Sequence, residues 1–273
     1  MGHKKVERIS PLTLHMPCCG VDSHAHVDGE EFDEDREDVL ALAKAAGVAA
    51  IGNVFLGPEE YARGKGYFAA HPEVFFLLGI HPCDGQRINE KSLAAMRAAF
   101  AADARLKAVG EIGLDFFWDD CPKELQYAAL RAQLDMARDV DKPVVIHSRD
   151  AADETLMVLE SAGFKDYPLL WHCFGGNADL LRRILGNGWH VSLPGPVTYK
   201  ANADLRAAVP LIPADRLLLE TDSPYLAAEP WRGKRNEPAF TVFTAACVAE
   251  LRGMEKEALW QQAGDNARRF FGL

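Results

Sequence analysis

Short apolar runs alternate along the chain with segments whose apolar residues recur at i, i+3, i+4 and i+7, beginning at Val21 and continuing to the C-terminus. Eight runs read as strands, at 20–24, 48–54, 74–82, 106–115, 143–149, 168–174, 189–195 and 217–225. Helical periodicity marks 34–46, 89–102, 123–140, 151–162, 177–185, 238–251 and 256–270. Near-continuous apolar strands separated by amphipathic helices imply a parallel sheet buried on both faces. Eight strand–helix units over about 250 residues fit a single closed (β/α)8 barrel, the TIM-barrel form of the α/β class, better than an open doubly wound sheet. No GxGxxG turn or Walker segment occurs, and no linker splits the domain. Residues 1–19 lack periodicity and contain two prolines, so they are expected to form an N-terminal extension outside the core, with the barrel spanning 20–273.

At 273 residues the chain can bury roughly three quarters of its unfolded surface, so a metal would serve chemistry rather than folding. Hydrophobic residues at 48% and charged residues at 26% exclude disordered, collagen-like and coiled-coil chains. No apolar run approaches the roughly 20 residues of a membrane span, and the N-terminus shows no signal-peptide core, so a cytoplasmic, membrane-free protein is expected. The six cysteines form no CxxC pair and read as free thiols. Thirty Lys and Arg against forty Asp and Glu give a net charge of −10, which argues against coating duplex DNA through a basic face. A phosphate-handling enzyme remains compatible, because bound divalent cations supply positive field locally.

In such a barrel the chemistry sits at the C-terminal ends of the strands. Five of the nine histidines fall there: His24, His26, His81, His147 and His172. Glu111 and Asp222 lie at the ends of the fourth and eighth strands. Alternate residues of an extended segment point to one side, so His24 and His26 can reach one metal. A His-x-His pair alone is weak evidence. Its partners strengthen it, because His147 and His172 come from adjacent strands, and from the neighbouring one Glu111 can bridge two ions. Four histidines and two carboxylates suit two divalent ions, zinc, manganese or magnesium. Such a pair would hold a bridging hydroxide and polarise a phosphoryl or carbonyl oxygen.

The segments SHAH at 23–26, GIHP at 79–82, GEIGLD at 110–115, PVVIHSR at 143–149, HCFGG at 172–176, ETDSPYL at 220–226, RGKRNEP at 232–238 and DNARRFF at 265–271 occur in that order. Together they resemble the TatD family of metal-dependent deoxyribonucleases, within the amidohydrolase-like barrels. The resemblance implies a metal-dependent hydrolase in which His24, His26, Glu111 and Asp222 hold one ion and Glu111, His147 and His172 the second. Glu111 stands where the wider group often has a carbamylated lysine, and Gly175 where relatives often carry Ser or Thr. The implied activity is 3′-5′ exonucleolytic cleavage of single-stranded DNA or RNA, with a strand end as substrate; no obligate protein partner is evident in the sequence, and a monomer is expected. Two rivals remain. One is a hydrolase of lactone, amide or D-aminoacyl-tRNA ester bonds using the same paired site; the other is a non-catalytic scaffold, which the complete ring of ligands argues against.

Further roles are open between two readings each. Asp222, with Glu111 a candidate catalytic residue, either accepts the proton of the attacking water or only ligates. His81 either contacts a substrate phosphate or backs a ligand. Arg149, Lys234 and Arg235 are candidate phosphate contacts, the last two with a solvated loop as the alternative. Phe116, Phe117 and Trp118 either stack on unpaired bases or pack a lid.

Overall fold

A computed structural model describes residues 8–273. Strands β1 (Gly20–Ala25), β2 (Val48–Phe55), β3 (Val74–Leu78), β4 (Leu106–Asp115), β5 (Val144–Arg149), β6 (Leu169–Trp171), β7 (His190–Leu193) and β8 (Leu217–Leu219) pair in sequence order, each parallel to the next. The seam between first and last closes beyond β8, where Asp222 N–H donates to the His24 carbonyl at 2.9 Å and His26 N–H to the Ser223 carbonyl at 2.8 Å. Helices α1 (Arg36–Ala45), α2 (Pro58–Gly64), α3 (Glu90–Ala102), α4 (Lys123–Asp139), α5 (Ala152–Ser161), α6 (Ala178–Gly186), α7 (Ala203–Ala208), α8 (Thr241–Arg252) and α9 (Lys256–Phe271) alternate with the strands or follow them. This is the expected (β/α)8 TIM barrel. Helices α2 and α7, with 7 and 6 residues, span two turns or fewer and carry too little periodicity to be predicted.

Strand alternation divides the core into two layers. Val21, Val54, Phe75, Leu77, Ala108, Val145, Leu170 and Leu218 form one cluster inside the barrel, and Ala267 and Phe271 of α9 join it. Their strand neighbours, such as Phe76, Val144, Ile146, Leu169 and Leu219, face the helices in the larger cluster. Of the register shifts in the sheet, two bear on its C-terminal end, in β1 between Asp22 and Ala25 and in β4 between Val109 and Ile112. Each moves the inward set by one residue, from Val21 to His24 and from Ala108 to Glu111, since side-chain facing has a period of two. Polar side chains thereby replace apolar ones at the C-terminal end of the barrel interior.

The expectation that residues 1–19 lie outside the core needs correction for the part described. Met16 is buried in the main cluster, and the carbonyls of Ile9 and Pro17 accept hydrogen bonds from Trp231 and Trp260, both at 2.9 Å. Apart from a single 3-10 turn at Pro11–Leu14 the segment is irregular, which is why it shows no periodicity, and it packs nonetheless. Residues 1–7 of the expected extension lie outside the described residues.

Candidate metal centre

Glu111 is the hub of the cluster at the strand ends. Its Oε1 lies 3.7 Å from His24 Nε2 and 3.5 Å from His26 Nε2, and Asp222 Oδ1 lies at the same two distances from the same nitrogens. Its Oε2 faces the other way, 3.2 Å from His147 Nδ1 and 2.8 Å from His172 Nε2, with those two nitrogens 3.4 Å apart. Donor atoms from β1, β4, β5 and the segments just past β1, β6 and β8 therefore form two groups that share one carboxylate.

The spacing suits cations. Two ligands held about 2.0–2.1 Å from a tetrahedral ion lie about 3.3–3.4 Å apart, close to the 3.5–3.7 Å separations of the first group. Those distances are too long for hydrogen bonds. Neither ring nitrogen of the fully buried His24 has a hydrogen-bond partner among the described residues. Burying an imidazole without partners is costly, and a cation at Nε2 removes half of that cost. Nitrogen and carboxylate donors in this number are those that zinc or manganese accepts.

Hydrogen-bond partners aim two of the histidines, and a buried carboxylate faces a third without bonding it. The Nδ1 of His26 lies 3.3 Å from the Val54 carbonyl. Asp115 Oδ2 lies 2.9 Å from His147 Nε2, and Glu220 Oε1 lies 3.5 Å from His172 Nδ1. Asp222 has φ +58 and Cys173, next to His172, has φ +50, so two residues of the site hold left-handed backbone.

Charge coupling follows from the crowding. Burial would raise Glu111, but the His172 charge and the close approach of His147 and His172 to its Oε2 hold it well below the usual carboxylate range. Burial would lower His172, yet Glu111 and Glu220 keep it well above the ordinary histidine value. Against the same penalty, Asp222 and Glu111 push His26 up to about 9. His24, with burial and His172 both against its charge, is lowered. The cluster therefore attracts positive charge, as protons or as cations.

The remaining predicted residues are distributed as follows. His81 enters the edge of the cluster, its ring centroid 4.5 Å from that of His147, and its Nδ1 accepts the Cys83 amide at 3.2 Å. Arg149 is exposed, its guanidinium 3.8 Å above the Phe117 ring, and Phe117 meets Trp118 edge-on. Phe117 and Trp118 are each 50% exposed, whereas Phe116 is partly buried against the core. Lys234 is exposed. Arg235 is committed elsewhere, bonded to Asp35, Glu237 and the Glu31 carbonyl and lying over Phe32. Asp115 and Glu220 were missed as site residues. Both carried a signal, because Asp115 lies four residues beyond Glu111 and Glu220 two before Asp222, on the same inward face.

The sequence model of the TatD related DNase family matches residues 21–272. A relative in Bacillus subtilis, the uncharacterized metal-dependent hydrolase YabD, is 36% identical over 92% of this chain and 98% of its own. The 3′-5′ ssDNA/RNA exonuclease TatD of Erwinia billingiae is 34% identical over 92% of this chain and 98% of its own. Among solved structures, that of YjjV, a TatD homologue from Escherichia coli, superposes with a TM-score of 0.87 at 31% identity, covering 94% of this chain and 99% of that one.

Proposed function

The chain belongs to the TatD related DNase family, a family of metal-dependent hydrolases, and from that premise we propose that it shortens single-stranded DNA or RNA from the 3′ end. The observation that carries this reading is the split use of Glu111, whose two oxygens face separate groups of donors. His24, His26, Glu111 and Asp222 would hold one divalent ion, and Glu111, His147 and His172 a second. When bound, such a pair supplies a nucleophile at neutral pH and neutralises charge on phosphoryl oxygens.

The protein's own groups then divide the work. The Glu111 side chain is 6% exposed and the Asp222 side chain 15%, so Asp222 is the carboxylate open to a water molecule and the proton acceptor. Glu111, enclosed, serves as the bridge. Because His81 Nδ1 accepts the Cys83 amide, its proton sits on Nε2, which can donate to a phosphate oxygen. Arg149 supplies a charged donor for an adjacent phosphate, and Phe117 with Trp118 a surface for an unpaired base.

The test is cleavage of oligonucleotides labelled at either end, with Mg²⁺ or Mn²⁺, with chelator, and with Glu111→Ala. Stepwise loss of a 3′ label, abolished by chelator and by the substitution, supports the reading. Metal binding without cleavage of DNA or RNA would refute it and direct attention to carboxylic ester and lactone substrates.

A further inference from the structure

Asp115 is buried at the end of β4, and both its oxygens are engaged. Its Oδ2 lies 2.9 Å from His147 Nε2, and its Oδ1 accepts the amides of Phe117 at 3.0 Å and Trp118 at 3.2 Å. The Gln126 side chain holds its backbone N–H and carbonyl, each at 2.8 Å. With its side chain only 2% exposed, this carboxylate cannot swing away.

We propose that Asp115 is a positioning residue, which fixes the tautomer of His147 and thereby completes the second ion position. An ionised carboxylate accepts hydrogen bonds and donates none, so the contact requires the proton on His147 Nε2. In a neutral imidazole the lone pair then lies on Nδ1, the atom facing Glu111 Oε2 at 3.2 Å and His172 Nε2 at 3.4 Å. A carboxylate behind a histidine also makes the facing nitrogen a stronger ligand. Donor atoms of His81, Asp115 and His147 lie within 4.8 Å of one another, so a third cation could in principle collect there. It would need the His147 Nε2 lone pair, which the proton already occupies, and a carboxylate whose oxygens already accept three donors.

The inference rests on the reading of His147 as a ligand, and the experiment separates the two. Metal-stripped full-length protein is titrated with Mn²⁺ or Zn²⁺ by calorimetry, and bound metal is counted, for the parent, Asp115→Asn and His147→Ala. The asparagine keeps the size of the side chain but turns a donor toward His147, favouring the tautomer that aims a proton at the ion position. The expected result is one ion weakened by about 10- to 100-fold in Asp115→Asn, the other unchanged, and the same ion lost in His147→Ala. Parent affinities in Asp115→Asn, with one ion lost in His147→Ala, would overturn the positioning role alone. Parent affinities in both variants would overturn the ligand reading as well, and three ions per chain would assign Asp115 to a metal. Should Asp115→Asn fail to fold, ¹⁵N NMR of the metal-stripped parent, followed upward in pH until the His147 ring is neutral, still decides: a proton on Nε2 supports the proposal and a proton on Nδ1 refutes it.

Discussion

Gly113→Ala tests whether fold and site are one construction. Gly113 sits opposite His147 in the β4–β5 register with φ +157, and an added Cβ would stand 1.8 Å from the His147 carbonyl oxygen and 2.8 Å from its carbonyl carbon. Ordinary contact needs roughly 3.5 Å, so the backbone at His147 must retreat by about 1.5 Å. Crowding of this kind costs about 1–3 kcal/mol, and holding an L-residue at that φ costs about as much again. A total of about 2–6 kcal/mol lowers the melting temperature by about 5–20 °C in a chain of this size. A shift of about 1 Å at a reacting group also costs roughly 100-fold in rate. Thermal unfolding of chelated protein measures the first effect; Mn²⁺ titration and cleavage assays measure the second. Gly66→Ala, where a Cβ meets nothing within 4 Å, is the control and should be neutral. A Gly113→Ala protein melting within about 2 °C of the parent and binding metal equally well would refute the reasoning.

Three further outcomes are expected. Glu111→Gln should weaken both ions together and reduce cleavage by more than the roughly 100-fold typical of an outer partner, as read by calorimetry and oligonucleotide assay. Metal loading should release protons, because His26 is raised from 6.5 to about 9 by Asp222 and Glu111 in the metal-free protein. That contribution to metal-free stability is complete below about pH 6.5 and lost as pH rises toward 9, so melting temperature against pH should fall there in chelated protein and not in loaded protein. Phe117→Ala and Trp118→Ala should each raise KM for single-stranded DNA by about 5- to 150-fold with kcat nearly unchanged, the equivalent of about 1–3 kcal/mol of base stacking, and an unchanged KM would assign these rings to packing.

The barrel was legible because its signal is repeated. Each strand is buried on both faces and each long helix carries an apolar stripe, so eight weak indications agree. The site was legible as chemistry more than as geometry. His24 and His26 stand two apart, but strict alternation from Val21 would have turned Ser23 and Ala25 inward. Likewise alternation from Ala108 would have selected Gly110 and Ile112 over Glu111. The shifts that correct this are set by backbone register against neighbouring strands, which no pattern within one strand reveals. Arg235 shows the opposite limit, since its sequence offers a cation for phosphate while Asp35, far away in the chain, engages it. Alternation from Glu111 and Asp222 places Asp115 and Glu220 on the inward face, but their role depends on which nitrogen of a neighbouring histidine they face.

The seam of the barrel and the metal centre are built from the same bonds. Asp22 accepts the Thr221 amide at 2.9 Å and the Thr221 hydroxyl, joining β1 to the segment after β8 beneath the ligands. Just above, the amides of Asp222 and His26 complete the closure through the carbonyls of His24 and Ser223. Three of the four donors in the first group, His24, His26 and Asp222, are thus held by the residues that close the sheet. Asp222 can reach its two histidines only while the seam is shut, and its left-handed backbone, φ +58, is sustained by the same contacts. Ligation by these three residues and closure of the sheet are therefore coupled equilibria, so an ion bound there stabilises the seam by as much as a closed seam strengthens its binding.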